Sequence, residues 1–120
     1  NEITEKTKNA LIKVQELGVK IVLASGRPTP GLRHEANELE LEKYEGYILS
    51  FMCRVVDVKT KDTIYEQTLT VEEAKKAYDR AKEFNLACMT YSQDTILTED
   101  IGDEYVCVEA KINDIEKQKS

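Results

Sequence analysis

Residues 19–33, VKIVLASGRPTPGLR, restrict the possible folds of this chain more than any other stretch. Residues 19–24 form a short apolar run with three β-branched members, Val19, Ile21 and Val22. Helix-period patterns stand on both sides of it. Such a run predicts an inner strand of a parallel sheet, covered on both faces. It stops at Ser25-Gly26-Arg27-Pro28. A hydroxyl, a flexible backbone and a fixed cation thus leave the carboxyl end of a strand. In open α/β sheets that end is where ligands bind. The chemistry that fits these residues is anion recognition, with a phosphoryl group foremost.

The flanking segments extend this into an α/β pattern. Thr4 is placed to cap a helix on which Ala10, Leu11, Val14 and Leu17 make one apolar face, and Gly18 is a natural stop. Pro28 and Pro30 suit a loop and a first helical turn, and Leu32, Ala36 and Leu39 then carry a helical stripe to about Leu41. The run at 47–51, YILSF, predicts the next strand, parallel to the first through a βαβ crossover. Residues 54–58 and 63–69 read as a hairpin about a polar turn at 59–62.

From residue 70 the pattern changes. Thr70 and Glu73 form a capping-box signature for a helix over 71–84, with Val71, Ala74, Ala77, Tyr78 and Ala81 as its apolar face and Asn85 as its stop. A second hairpin is expected from 86–91 and 95–98. Tyr105, Val108 and Ile112 give a last helix its face, and the charged tail to Ser120 is expected to fray. The sequence therefore divides into an α/β layer over 1–69 and the start of an α+β unit over 70–120.

Composition narrows the function classes. Charged residues are 33% and apolar residues 41% of the 120, as in ordinary globular chains rather than disordered ones. The net charge of −6 argues against nucleic acid and anionic membranes as partners, so any anion site must rely on local donors. The apolar runs are too short to span a bilayer. The chain opens on polar Asn1-Glu2 without a secretory pattern, and Cys53, Cys88 and Cys107 are odd in number and far apart. Reduced, buried thiols in a cytoplasmic protein are expected, not a disulfide or zinc site.

Candidate site residues are few. Ser25 offers a hydroxyl and Gly26 an amide at the strand end, and Arg27 offers a guanidinium suited to phosphate. Against these stand plainer readings: a turn after a strand, and a surface arginine paired with a carboxylate. Gly31 and the next helix start could add amides. There is no Walker loop or GxGxxG fingerprint. His34, the single histidine, sits among Glu35, Glu38 and Glu40 as on a solvated helix face, and no metal-ligand spacing is present. The pairs Glu72-Glu73, Glu99-Asp100 and Asp103-Glu104 look like helix starts. Asp57 and Asp94 look like turn residues, and Tyr91 and Tyr105 like packing residues.

The stretch ITEKTKNALIKVQELGVKIVLASGRP, residues 3–28, resembles the segment between the first two motifs of haloacid dehalogenase (HAD) superfamily phosphatases, closest to the Cof-type group with a C2 cap. The resemblance continues through the YILSF strand to the hairpin ending at residue 98. It implies a partial Rossmann-like parallel-sheet core followed by the beginning of an α+β C2 cap. It also implies a magnesium-dependent hydrolase of phosphorylated sugars or other small phosphometabolites, working through an aspartyl-phosphate intermediate. On that resemblance Ser25 is catalytic, and Ser25, Gly26 and Arg27 bind the substrate phosphate.

The family's Asp-x-Asp-Gly nucleophile loop and its later lysine and magnesium-holding aspartates are not among these residues, which contribute no metal ligand. Where the family usually has Asn-Gly after the second strand, this chain has Met52-Cys53 after Phe51. The 120 residues alone are therefore expected to be inactive. The alternative reading is a non-catalytic α/β binding or interaction module. The substrate's identity and the oligomeric state stay open.

Overall fold

The computed structural model describes residues 2–51 and 53–120, so the expectations that touch Asn1 and Met52 lie outside the described residues. The fold is mixed α/β, with one four-stranded and one three-stranded sheet, each holding a parallel and an antiparallel pairing. The chain divides into two compact units, Asn1–Gln67 and Thr68–Ser120.

In the first unit, α1 (Glu5–Glu16) begins where the Thr4 hydroxyl accepts from the Thr7 amide. It ends before Gly18, whose φ of +91° suits a residue without a Cβ. Leu11 and Val14 are half-buried, but Ala10 and Leu17 of the expected apolar face are exposed. Gln15 takes the buried place instead: its amide nitrogen donates to the Leu39 carbonyl at 2.9 Å, while its Oε1 is buried without a hydrogen-bond partner among the described residues.

The strand after it, β1 (Val22–Ala24), pairs parallel with β2 (Tyr47–Ser50). β3 (Arg54–Asp57) and β4 (Thr63–Glu66) follow antiparallel, in the order β1-β2-β3-β4. The Asp57 carboxylate accepts the Lys59 and Thr60 amides and closes the β3–β4 turn.

A 3₁₀ turn (Thr29–Leu32) and α2 (Arg33–Glu38) connect β1 to β2. Leu32, Ala36, Leu39 and Leu41 pack with Ile48, Val58, Leu23 and Leu11 into one core. The expected parallel pairing of β1 is present; among the described residues β1 pairs only with β2, and Val22 is 52% exposed. The core lies on the Leu23–Ile48 side of the sheet. On the other side Val22, Leu49 and Tyr65 remain exposed.

Gly46 sets the approach of β1 to β2. A Cβ there would stand 2.9 Å from the Ile21 carbonyl oxygen and 3.0 Å from the Leu41 side chain. That carbonyl accepts from the Tyr47 amide at 3.0 Å, so glycine permits the first contact between the strands.

In the second unit, α3 (Val71–Glu83) carries the full capping box of Thr70 and Glu73. No residue of α3 is buried, so its expected apolar face does not contribute to the core of this unit. β5 (Met89–Ser92) and β6 (Thr95–Thr98) form the expected antiparallel hairpin.

Asp103 caps α4 (Glu104–Asn113) by accepting from the Tyr105 and Val106 amides. The buried residues of α4 are Val106, Ala110 and Asn113; Val106 and Ala110 pack with Ile96, Ile115 and Tyr91, and the Asn113 amide donates to Glu109. Tyr105, Val108 and Ile112, expected to pack, are exposed. Both sets have helical spacing, and contact with Ile96 selects the first.

The charged tail does not fray. β7 (Glu116–Lys119) runs parallel to β6, because backbone pairing at a sheet edge leaves charged side chains in solvent. Cys53 is exposed and Cys88 and Cys107 are half-buried free thiols, against the expectation of buried cysteines. Among the described residues no helix is long and apolar enough to cross a membrane.

Candidate functional site

The end of β1 is continued one residue by the Ser25 amide, which donates to the Leu49 carbonyl at 3.0 Å. The chain then leaves the sheet. Ser25 is half-buried and Gly26 is exposed. The Ser25 Oγ accepts from the Arg27 amide at 3.2 Å. That bond uses an oxygen lone pair and leaves the hydroxyl proton for another acceptor.

The Gly26 amide has no acceptor among the described residues. A Cβ built on Gly26 meets nothing within 4 Å, and its φ is not in the left-handed region. Two donors on adjacent residues therefore lie at the carboxyl end of a parallel strand.

Gly26 permits a separation of folding from binding. Gly26→Ala is expected to leave stability unchanged or raise it by about 0.4–1 kcal/mol, since only the unfolded chain loses freedom. Its cost should appear in anion affinity, because the methyl group enters the open space beside the amide. Equilibrium unfolding and phosphate titration of the same variant check both halves. A strongly destabilised variant would contradict the geometry.

Arg27 reaches back across the loop. Its Nη1 lies 3.2 Å from Glu35 Oε1 on α2, with both side chains partly shielded. This is the carboxylate pairing of the plainer reading, and it ties the Arg27 side chain to α2 while its backbone amide bonds Ser25. Gly31, expected as a further donor, is not available: it is buried and its amide donates to the Pro28 carbonyl at 2.9 Å.

Residues at the end of β2 complete the loop's supports, and the sequence reading passed over them. Thr29 Oγ1 donates to Ser50 Oγ at 3.1 Å, and the Phe51 amide donates to the Arg27 carbonyl at 3.3 Å. Ser50 is 3% exposed. The available signal was a serine two residues after Ile48, on the inward side of an apolar strand.

His34 is exposed, with its Nε2 3.7 Å from a Glu38 oxygen, as a solvated helix face requires. No group of three or more His, Cys, Asp or Glu side chains among the described residues could hold a metal ion.

The second unit has a polar hollow of about 310 Å³ lined by Tyr78, Lys82, Asn85, Cys88, Glu99 and Asp103. Glu99, expected at a helix start, instead accepts from the Tyr78 hydroxyl at 2.6 Å and from Lys82 at 2.5 Å. The Lys82 ammonium, then the Tyr78 hydroxyl, hold its carboxyl below the usual range. Tyr91 packs against the core and donates to Glu109 at 2.9 Å; burial and that carboxylate push its phenol up.

Similarity to known proteins agrees with this architecture. Residues 1–120 match the family model for haloacid dehalogenase-like hydrolases. YxeH of Bacillus subtilis (strain 168), provisionally named a phosphatase, is 27% identical over 99 residues, which are 82% of this chain and 37% of that protein. The crystal structure of a haloacid dehalogenase-like hydrolase from Bacteroides thetaiotaomicron superposes with a TM-score of 0.88 at 36% identity, covering 99% of this chain and 45% of that one. BT1666 of the same organism, from the phosphatases of the HAD superfamily, shares the fold at a TM-score of 0.71 and 22% identity, over 95% of this chain and 40% of its own. The chain spans less than half the length of each of these relatives. It belongs to the haloacid dehalogenase-like hydrolase family.

Proposed function

We propose that these residues form part of a cytoplasmic, magnesium-dependent phosphatase of phosphorylated sugars or other small phosphometabolites. Residues 1–69 belong to its core and 70–120 to its C2-type cap. The observation that carries this reading is the Ser25–Gly26 pair of donors at the carboxyl end of β1, in a chain of this family. In this reading the Ser25 hydroxyl and Gly26 amide donate to phosphoryl oxygens, and Arg27, whose guanidinium is paired with Glu35, adds its charge.

An aspartate outside residues 1–120 attacks phosphorus to give an aspartyl-phosphate, which water then hydrolyses. A second aspartate from outside protonates the leaving alkoxide and later takes the proton from that water. Donors fixed before the reaction stabilise the charge that gathers on the phosphoryl oxygens, which is where such sites gain most.

The residues present do not fit a magnesium site. They contain no ligand cluster among the described positions, and Glu35 is engaged by Arg27. In this proposal the ion's ligands come from the rest of the polypeptide. The test is turnover of a chromogenic phosphate ester by the intact protein with magnesium, and its loss on replacing Ser25. An intact protein without such turnover would contradict the proposal.

A further inference from the structure

We infer that Ser50 is a positioning residue that sets the shape of the Ser25–Arg27 loop and so its hold on a phosphoryl group. The inference rests on the phosphatase reading above. Three successive residues at the end of β2 each fix one point of the neighbouring loop. The Leu49 carbonyl takes the Ser25 amide, the Phe51 amide takes the Arg27 carbonyl, and Ser50 Oγ takes the Thr29 hydroxyl. Two of these ties are backbone to backbone. The tie made by Ser50 runs between two side chains.

Its location argues for a role beyond packing. Ser50 lies on the inward face with Ile48, and 3% of it is exposed. A side chain serving packing alone would be apolar there, since a buried hydroxyl is costly unless bonded. Ser50 is bonded on both sides: it accepts from Thr29 at 3.1 Å and donates, more weakly, to the Arg54 carbonyl at 3.5 Å.

The link from Thr29 to the donors is stiff. Pro28 stands between Thr29 and Arg27, is buried, and holds an extended backbone at φ −65° and ψ 157°. A shift at Thr29 therefore passes to Arg27, whose amide bonds the Ser25 hydroxyl. Small displacements of donors in a preorganised site have large effects on rate.

The experiment is a double-mutant cycle in the intact protein. Ser50→Ala and Thr29→Val should each lower kcat/KM for a phosphate monoester about tenfold and weaken inhibition by inorganic phosphate in parallel. The double variant should lose no more than either single one, because both remove the same bond. Thr29→Ser, which keeps the hydroxyl, should restore the activity.

A purely structural role would lower the melting temperature and leave kcat/KM and phosphate inhibition alone. That result, or additive losses, or no rescue by Thr29→Ser, overturns the inference while the phosphatase reading stands. An intact wild-type protein inert towards phosphate esters overturns both. If Ser50→Ala does not fold, the Thr29→Val and Thr29→Ser pair still decides.

Discussion

Ser25→Ala in the intact protein is expected to lower kcat/KM for a small phosphate monoester by about 100- to 1,000-fold, the usual cost of losing one preorganised donor to a charged oxygen. The size follows from the position. The Ser25 hydroxyl stands at the end of β1 with its oxygen already accepting from the Arg27 amide. Alanine removes the hydroxyl proposed to donate to the phosphoryl group and, with it, the acceptor of the Arg27 amide bond. Ser25→Thr keeps both functions and should retain most activity. Steady-state kinetics on the three proteins, with melting temperatures alongside, separate this from unfolding. A Ser25→Ala enzyme with wild-type kcat/KM would show that the hydroxyl does not face the substrate.

The largest expected effect on stability lies at the opposite end of β2. Gly46→Ala should destabilise the first unit by about 2–3 kcal/mol, in the range of overpacked cores. The new methyl would sit 2.9 Å from a backbone oxygen, that of Ile21, and 3.0–3.2 Å from Leu41. Neither neighbour can move freely. The Ile21 carbonyl holds the Tyr47 amide, and Leu41 is fully buried, with its own carbonyl bonded to the Gly46 amide at 2.8 Å. Relief in one direction opens the β1–β2 pairing, and in the other it loosens the core. Denaturant unfolding followed by a probe in the first unit checks it. An unchanged midpoint would mean that the strands separate without cost.

Local signals in the sequence were legible where one residue's chemistry settles one backbone event. The caps at Thr4 and at Thr70 with Glu73, the helix start marked by Asp103-Glu104, the left-handed stops at Gly18 and Asn85, and both hairpins are of this kind. What periodicity could not resolve was which side of an element is covered. On α4, Tyr105-Val108-Ile112 and Val106-Ala110-Asn113 both have helical spacing, and packing of Val106 and Ala110 with Ile96 distinguishes them.

The apolar run ending in β1 reads as doubly covered, yet the described residues cover one side of its sheet. The tail strand β7 is invisible to hydrophobic pattern because its pairing is made by backbone. The Ser25–Gly26–Arg27 loop could be located because a strand end is marked by composition. Ser50 could not, because its importance arises from a bond to Thr29, 21 residues away.

The most direct test of the central claim is to place a phosphate mimic. Crystals of the intact protein soaked in tungstate should show the anion within hydrogen-bonding distance of Ser25 Oγ and the Gly26 amide, and Ser25→Ala crystals should show it weakened there. Tungstate bound elsewhere, with the end of β1 closed by neighbouring side chains, would contradict the account.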